Sequence, residues 1–209
     1  RVSDTRCEAA ETVRARASAM LDASVRDLLR DDLIEAIDFH GHLCPGLTIG
    51  YRAATIAMSM LGVEPGIDEE LVGIVENDSC GVDAFQIITG CTLGKGNLVY
   101  KDYGKQAYTL VRRSDGRGVR IVLSPSAVEC DAETAELRNR VTTGQGTADE
   151  AIEFSKRHVA QVIHLLELPQ EQFGTFADAE FEIPSKARMF ETVTCSVCGE
   201  AGREPRSGG

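Results

Sequence analysis

The sequence predicts an α+β fold in which helices pack on an antiparallel sheet. Two stretches at the start of the core carry apolar residues at spacings of three and four, which is the pattern of amphipathic helices, at 28–40 and 45–61. Short apolar runs typical of strands follow them, and turn residues separate the later ones; these runs lie at 71–76, 98–100, 107–112 and 119–123. Because consecutive strands joined by short turns usually pair antiparallel, we expect one antiparallel sheet covered by helices.

The domain organisation follows from shifts in composition along the 209 residues. Residues 1–27 are rich in alanine, arginine and glutamate and predict a helical arm. Residues 28–170 form the predicted α+β core, which includes two further helices after the sheet. We expect a connector followed by a small, partial zinc-finger-like tail in residues 171–209. This length is enough for one domain with an ordinary core and an appendage.

Composition narrows the classes of protein to be considered. The formal net charge is -11, which disfavours a nucleic-acid or anionic-membrane partner. The sequence contains neither a run of about 18 apolar residues nor a signal-peptide pattern. The seven cysteines are an odd number and are widely spread, so they do not resemble the framework of a small secreted domain. We therefore expect a cytoplasmic protein with metal-binding or catalytic thiols and no membrane span.

The stretch between the first two helices concentrates chemically active side chains. His40, His42 and Cys44 alternate there, between the end of one helix and the start of the next. Imidazole nitrogen and thiolate sulfur are ligands for zinc and other late first-row transition metals. The alternative is a helix–turn–helix corner in which these residues are merely buried. Three ligand-type residues so close together favour a functional centre, although three are too few for a closed structural zinc site.

A second group of candidates surrounds the predicted helix 82–89. Cys80 precedes this helix and is a candidate further metal ligand or a partner thiol for Cys44. Both cysteines lie at helix amino ends, where the helix dipole should lower the pKa of a thiol. Asp83 is a candidate to orient a histidine as a neighbouring carboxylate. Lys95, in a glycine-rich turn that lacks phosphate-loop spacing, is a candidate to hold an anionic group.

The tail contains half of a zinc-binding motif. Cys195 and Cys198 form a CxxC knuckle, and a complete site needs two more ligands. Three interpretations remain open. The sequence stops short of a second knuckle; Cys130, Cys7 or a partner subunit completes the site; or the pair is a free dithiol.

These residues resemble the FmdE family, whose name refers to formylmethanofuran dehydrogenase. The resembling blocks are FHGHLCPGLTIGYRAA at 39–54, IVENDSCGVDAFQIITGCTLGKGNLVYKDYGKQAY at 74–108 and CSVCGE at 195–200. The resemblance implies an α+β core, an intertwined homodimer and, in some members, a treble-clef zinc finger at the carboxy terminus. It places the family's histidine-cysteine motif on His40, His42 and Cys44. Its second cysteine motif falls on Cys80 with Asp83, and its Gly-Lys segment falls on Lys95. The second cysteine pair of the finger is absent here.

Three functional hypotheses follow. In the first, a dimeric protein binds zinc or a similar metal through His40, His42, Cys44 and Cys80, and is accessory to a molybdenum or tungsten oxidoreductase, as the resemblance implies. In the second, a thiol enzyme uses Cys44 and Cys80 as nucleophile and resolving partner. Lys95 would hold an anionic substrate, His42 would serve as acid or base, and Asp83 would belong to the same site. In the third, the Cys195/Cys198 knuckle makes the chain an interaction module.

Overall fold

The computed structural model describes residues 29–179, 183, 185–186 and 191–203, so the predicted arm over 1–27 and Cys7 lie outside the described residues. The helices are α1 (Asp31–His40), α2 (Pro45–Leu61), α3 (Gly81–Thr89), α4 (Ala132–Thr142), α5 (Ala148–Glu167) and the short α6 (Gln170–Phe173), with a 3-10 turn at Pro125–Val128. The strands are β1 (Leu71–Val75), β2 (Leu98–Tyr100), β3 (Ala107–Arg112), β4 (Gly118–Leu123), β5 (Gly174–Ala179), β6 (Thr192–Thr194) and β7 (Ala201–Arg203). Within the described part of the chain, no helix is both long and apolar enough to cross a membrane.

The predicted α+β class is confirmed, with one correction to the sheet. Five strands form a sheet in the order β2-β1-β3-β4-β5, and β6 pairs with β7 in a separate hairpin. All neighbours in the large sheet are antiparallel except β1 and β2, which are parallel. The expectation of a wholly antiparallel sheet was therefore wrong at β2. The physical reason is that α3 lies between β1 and β2, and a strand–helix–strand crossover brings the second strand back in the same direction.

The fifth strand arises from a segment that we expected to be a connector. Residues 174–179 form β5, which pairs along the length of β4 from Gly118 to Leu123. Phe173 precedes this strand and is fully buried in the core. Burial of this ring anchors the start of β5 against the sheet, so the regular structure extends past the predicted connector boundary at residue 171.

The helix ends around the candidate centre match the sequence prediction. Gly41 ends α1 with a φ of 93°, and its N–H donates to the Ile37 carbonyl. Glycine adopts this left-handed conformation without steric cost, so the chain can reverse immediately after His40. Pro45 is the first residue of α2, where its missing N–H costs nothing. Only the short segment 41–44 thus separates the end of α1 from the start of α2.

The crossing of α2 and α3 is unusually close because glycines meet there. A Cβ on Gly50 would lie 1.8 Å from the carbonyl oxygen of Gly81, so the two backbones are in direct contact. A Cβ on Gly81 would in turn lie 2.3 Å from the hydroxyl of Tyr108 in β3. Only glycine fits at either position. The contact fixes the amino ends of α2 and α3 side by side, and Cys44 and Cys80 stand at those ends.

Arg52 of α2 binds the carboxy-terminal end of α5. The guanidinium of Arg52 donates to the carbonyls of Leu165 and Leu168, at 2.9 and 2.7 Å, and also to that of Leu166. These carbonyls belong to the last turn of α5 and the residue after it, where helix carbonyls lack partners within the helix. The positive charge also opposes the negative end of the helix dipole. Arg52 therefore holds the carboxy-terminal end of α5 against the core.

One ion pair makes the stability of the fold depend on pH. Glu76 follows β1 and is 4% exposed, and Arg120 of β4 donates to its two carboxylate oxygens at 2.6 and 2.8 Å. These hydrogen bonds hold the pKa of Glu76 below its ordinary value of 4.5. A depressed pKa contributes stability above 4.5 that is lost as the pH falls through the folded-state pKa.

We expect Glu76→Gln to lower the free energy of unfolding at pH 7 by about 2 kcal/mol, because it leaves a half-buried guanidinium without its charged partner. The deficit relative to the unchanged protein should shrink as the pH falls below 4.5. Urea unfolding at a series of pH values measures both effects. The exposed Glu64 provides the matched control, since Glu64→Gln should change stability little. A deficit that is the same at acidic and neutral pH would contradict the assignment.

Candidate metal centre

Three ligand-type side chains converge where α1, α2 and α3 meet. One ligand atom from each of His40, Cys44 and Cys80 lies within 4.8 Å of the other two. His40 is the last residue of α1, Cys44 immediately precedes α2, and Cys80 immediately precedes α3. Three separate backbone elements therefore supply the cluster, and the Gly50–Gly81 contact fixes two of them. We call these three residues the His-Cys cluster.

Glycine also makes room inside the cluster. A Cβ on Gly46 would lie 3.2 Å from the Cβ of Cys80 and 3.9 Å from the sulfur of Cys44. Cys44 itself is extended, with φ -147° and ψ 162°, and its sulfur accepts a hydrogen bond from the backbone N–H of Leu47 at 3.4 Å. The extended backbone and this N–H turn the thiol of Cys44 toward the amino end of α2 rather than into the sheet.

Asp83 orients the imidazole of His40. The Nδ1 atom of His40 lies 2.7 Å from the Oδ2 atom of Asp83, in the first turn of α3. A carboxylate accepting from Nδ1–H leaves Nε2 with its lone pair free, which is the tautomer that binds metals. Nε2 is the atom that lies 4.0 Å from the sulfur of Cys44. The expected pairing of Asp83 with a histidine is thus present in the structure.

The donor set fits a late first-row transition metal. One imidazole and two thiols are the ligand types that zinc prefers. A tetrahedral zinc ion with normal bond lengths separates such ligand atoms by roughly 3.5–3.8 Å. The separation between His40 Nε2 and Cys44 Sγ is 4.0 Å, so a shift of a few tenths of an ångström would bring this pair to bonding geometry. Three protein ligands leave a fourth position for another group.

Burial reverses the expected effect on the thiol of Cys44. The side chain is 7% exposed, and this burial raises the pKa of its thiol to about 11, while the N–H of Leu47 opposes the rise. The negative charge of a neighbouring Cys80 thiolate acts in the same direction as burial. The expectation that the helix dipole lowers this pKa was therefore wrong, because the cost of burying a charge exceeds the benefit of the helix end.

Two predicted site residues are not members of the His-Cys cluster. The ring of His42 packs against that of His40, with centroids 4.5 Å apart, but its nitrogens are not part of the group of close ligand atoms. Lys95 lies beyond the carboxy-terminal end of α3, whereas Cys80 lies at the amino end. Its ammonium donates to the carbonyls of Gly66 and Gly90, at 3.2 and 2.9 Å. The structure therefore does not bring Lys95 to the cluster.

The cysteine pair of the tail lies in the hairpin of β6 and β7. The N–H of Cys195 donates to the Glu200 carbonyl at 2.7 Å, and a tight turn joins the two strands. The backbone N–H groups of Cys198 and Val197 point at the sulfur of Cys195 and lower its pKa. This turn has the form of a half-site for metal, but among the described residues no group of three or more close ligands includes the pair.

Two cavities border the His-Cys cluster. The arginine cavity, of about 480 Å³, is lined on the core side by residues around Cys44 and on the other side by residues of α4, α5 and the segment before them: His42, Cys44, Pro45, Gly46, Cys80, Val128, Cys130, Thr134, Arg138, Phe154, Arg157, His158 and Gln161. The aspartate cavity, of about 490 Å³, is lined by His40, Val75, Asn77, Asp78, Ser79, Cys80, Val82, Asp83, Gln86, Leu93, Leu98 and Tyr100. Cys80 belongs to both cavities.

Sequence reasoning missed the far wall of the arginine cavity. Cys130, Arg138 and His158 come from a part of the chain separated by most of the sheet from the HxHxC stretch. The sequence signal was the spacing of Phe154 and His158, which are one helical turn apart. In the structure their rings meet edge-on, with centroids 4.6 Å apart. That spacing indicates a shared helix face and says nothing of what the face meets.

Comparison with known proteins identifies the family. The sequence profile named FmdE and described as "Molybdenum formylmethanofuran dehydrogenase operon" matches residues 39–175, which include the His-Cys cluster and most of the large sheet. The chain belongs to the FmdE family. This confirms the family found from the blocks at 39–54 and 74–108, whereas the block at 195–200 lies outside the match. The match also includes the helices α4 and α5, which form the far wall of the arginine cavity.

Two relatives of this FmdE family member are informative. A "Probable S-adenosyl-L-methionine-binding protein" of Archaeoglobus fulgidus is 36% identical over 192 residues, which cover 88% of this chain and 52% of that protein. The chain therefore spans about half the length of this curated relative. The crystal structure of a tungsten formylmethanofuran dehydrogenase FmdE-like protein from Syntrophus aciditrophicus matches with a TM-score of 0.55 and 24% identity, over 82% of this chain and 84% of that one. The structural likeness shows a shared fold.

Proposed function

We propose that this protein binds zinc or a similar late first-row transition metal through His40, Cys44 and Cys80. The observation that carries the proposal is the convergence of one nitrogen and two sulfur atoms within 4.8 Å, from three different backbone elements. Asp83 would orient His40, and the exposed His42 would lie beside the centre. The bound ion would supply a Lewis-acidic position with room for one further ligand.

The proposed biological role of the protein is that of an accessory protein to a molybdenum or tungsten oxidoreductase. The support is membership of a family whose description refers to the operon of such a dehydrogenase. We further propose a homodimer in the cytoplasm, with other components of the oxidoreductase as partners. Binding of S-adenosyl-L-methionine belongs to the name of the Archaeoglobus relative, of which this chain covers 52%.

The thiol-enzyme alternative is less well supported than metal binding. Without a metal, burial raises the pKa of Cys44 to about 11, which leaves the thiol protonated and weakly nucleophilic at neutral pH. A zinc ion would displace that proton and make the buried sulfur a favourable ligand. The third hypothesis, an interaction module built on Cys195 and Cys198, stays a prediction.

The direct test is the metal content of the full chain. The protein used carries Cys195→Ser and Cys198→Ser, so that metal bound at the tail does not contribute to the measurement. This variant is the tail-substituted background. We expect one zinc ion per chain after dialysis, measured by plasma mass spectrometry. Absence of stoichiometric zinc, cobalt or nickel from this protein after incubation with each metal would overturn the proposal.

Asp83→Asn tests the orienting role. An amide is a weaker hydrogen-bond acceptor than a carboxylate, so it holds the His40 ring less firmly. It also raises the basicity of the ring less, which makes His40 a weaker metal ligand. We expect the zinc affinity to fall by about 10–100-fold, the usual effect of losing a partner of a metal-bound histidine. Competition against a chromophoric chelator measures the affinity.

The matched control is Asp78→Asn, which removes an exposed carboxylate from the same aspartate cavity without touching His40. Its zinc affinity should stay close to that of the unchanged protein. Equal losses in the two variants would mean that Asp83 acts through its charge alone and does not orient the ring.

A further inference from the structure

The two cavities beside the His-Cys cluster differ in the sign of the charged side chains that line them. The arginine cavity is lined by Arg138, Arg157 and two histidines, and none of the described residues that line it is an aspartate or glutamate. The aspartate cavity is lined by Asp78 and Asp83, and its described lining contains no lysine or arginine. In a chain with 33 acidic and 22 basic residues, a cavity without a carboxylate and with two arginines is a departure from the average surface.

Of the two arginines, one is already neutralised. The guanidinium of Arg157 lies 2.6 Å from a carboxylate oxygen of Glu133 and 3.0 Å from one of Glu153. These ion pairs fix the Arg157 guanidinium and neutralise its charge. Arg138 lies one turn along α4 from Thr134. Among the described residues, the ion pairs of this region join Arg140 and Arg157 to carboxylates of α4, α5 and Asp131, and none of them includes Arg138. Arg138 is therefore the cation that remains available to a ligand.

The neighbouring side chains supply a hydrogen-bonding group and an apolar surface. His158 is half-buried, and burial lowers its pKa, with the nearby His42 and Arg138 adding to the effect. A neutral imidazole offers one donor and one acceptor. The ring of Phe154 lies edge-on to that of His158, with 4.6 Å between centroids, and lines the same cavity. A cation, a neutral imidazole and an aromatic ring thus border one space.

We propose that the arginine cavity binds a small organic anion, whose acid group pairs with Arg138 and accepts a hydrogen bond from His158, while its apolar body lies against Phe154. A volume of about 480 Å³ is within the range of small-molecule sites. The acid group can be a carboxylate, phosphate or sulfonate, because a guanidinium binds all three. This inference goes beyond metal binding and does not depend on it, since α4 and α5 supply the three contacts.

The position of the cavity gives the ligand a place beside the centre. Cys44 and Cys80 form part of its core wall, so a bound anion would lie next to the two sulfur ligands. The aspartate cavity on the other side is unsuited to an anion because Asp78 and Asp83 would repel it. An anionic ligand should thus occupy only one of the two cavities that share Cys80.

Benzoate and benzamide are a matched pair of probes for this proposal. They have the same ring and nearly the same shape, and differ in the charge of the acid group. Isothermal titration calorimetry on the full chain, in metal-free and zinc-loaded forms, should show benzoate binding at least about tenfold tighter than benzamide in both forms. Arg138→Gln should weaken benzoate binding by about tenfold or more, because it removes the charged hydrogen-bond donor.

Arg117→Gln is the control variant, since it makes the same charge change at an exposed turn between β3 and β4. It should leave benzoate affinity unchanged. Equal affinity for benzoate and benzamide, equal effects of the two arginine variants, or no heat of benzoate binding at millimolar concentration would each overturn the proposal. Failure to load zinc would count against the metal centre alone, because the metal-free protein still decides whether the cavity binds the anion.

Discussion

Serine in place of Cys80 is expected to eliminate stoichiometric zinc binding at the His-Cys cluster. A serine hydroxyl stays protonated near neutral pH and is a poor ligand for zinc, so the centre would retain only two effective protein ligands. The affinity should fall by more than the roughly 10–100-fold expected for loss of a supporting partner. Cys44→Ser should have a comparable effect, because the sulfur of Cys44 lies 4.0 Å from His40 Nε2. Chelator competition in the tail-substituted background measures each affinity.

Cys130 offers a control that matches this substitution. It is a free cysteine that lines the arginine cavity but is not one of the three close ligands. Cys130→Ser should bind zinc like the parent protein. If Cys130→Ser loses zinc while Cys80→Ser retains it, the ligand set proposed here is incorrect. Circular dichroism should show that all variants keep the native helix content.

Alanine at position 50 is expected to give the largest loss of stability among single substitutions at the centre. Its Cβ would lie 1.8 Å from the Gly81 carbonyl oxygen and 2.4 Å from the Gly81 Cα, and backbone atoms cannot rotate away. The helices α2 and α3 must separate. We expect a loss of about 3 kcal/mol or more in the free energy of unfolding, despite the better helix propensity of alanine.

The same substitution should also weaken zinc binding, because Cys44 and Cys80 stand at the ends of the two displaced helices. Urea unfolding and chelator competition measure the two effects. Gly94→Ala is the control, since a Cβ at Gly94 would meet nothing within 4 Å. Stability of Gly50→Ala equal to that of Gly94→Ala would show that the two helices can separate at little cost.

The sequence contained enough information to find most of the cluster. His40 and Cys44 were recognisable because two helix ends, marked by glycine and proline, lie close together on either side of the segment 41–44. Cys80 and Asp83 were recognisable because a cysteine before a helix and an acid in its first turn share one helix end. The exclusion of His42 was not predictable. Alternation places side chains together only on an extended segment, and the left-handed Gly41 interrupts that geometry.

Other features depend on contacts that sequence patterns do not encode. The raised pKa of Cys44 depends on its burial at the amino end of α2, which outweighs the local effect of the helix end. The hydrogen bonds of the Lys95 ammonium depend on the carbonyls of Gly66 and Gly90, which lie on two different loops.

The parallel pairing of β1 and β2, by contrast, had a signal in the sequence. A helix between two strands is typical of a parallel crossover, and the expectation of a wholly antiparallel sheet overlooked it.

Two separate segments of the sequence form the two walls of the arginine cavity. The sulfur-bearing wall comes from residues 42–46 and Cys80, and the wall with Arg138, Phe154 and His158 comes from residues 128–161. Point substitutions in the later segment can therefore alter which compound the cavity accepts while every residue of the His-Cys cluster stays the same. Selection on the proposed ligand can thus act on the later segment alone and leave the three proposed metal ligands unchanged.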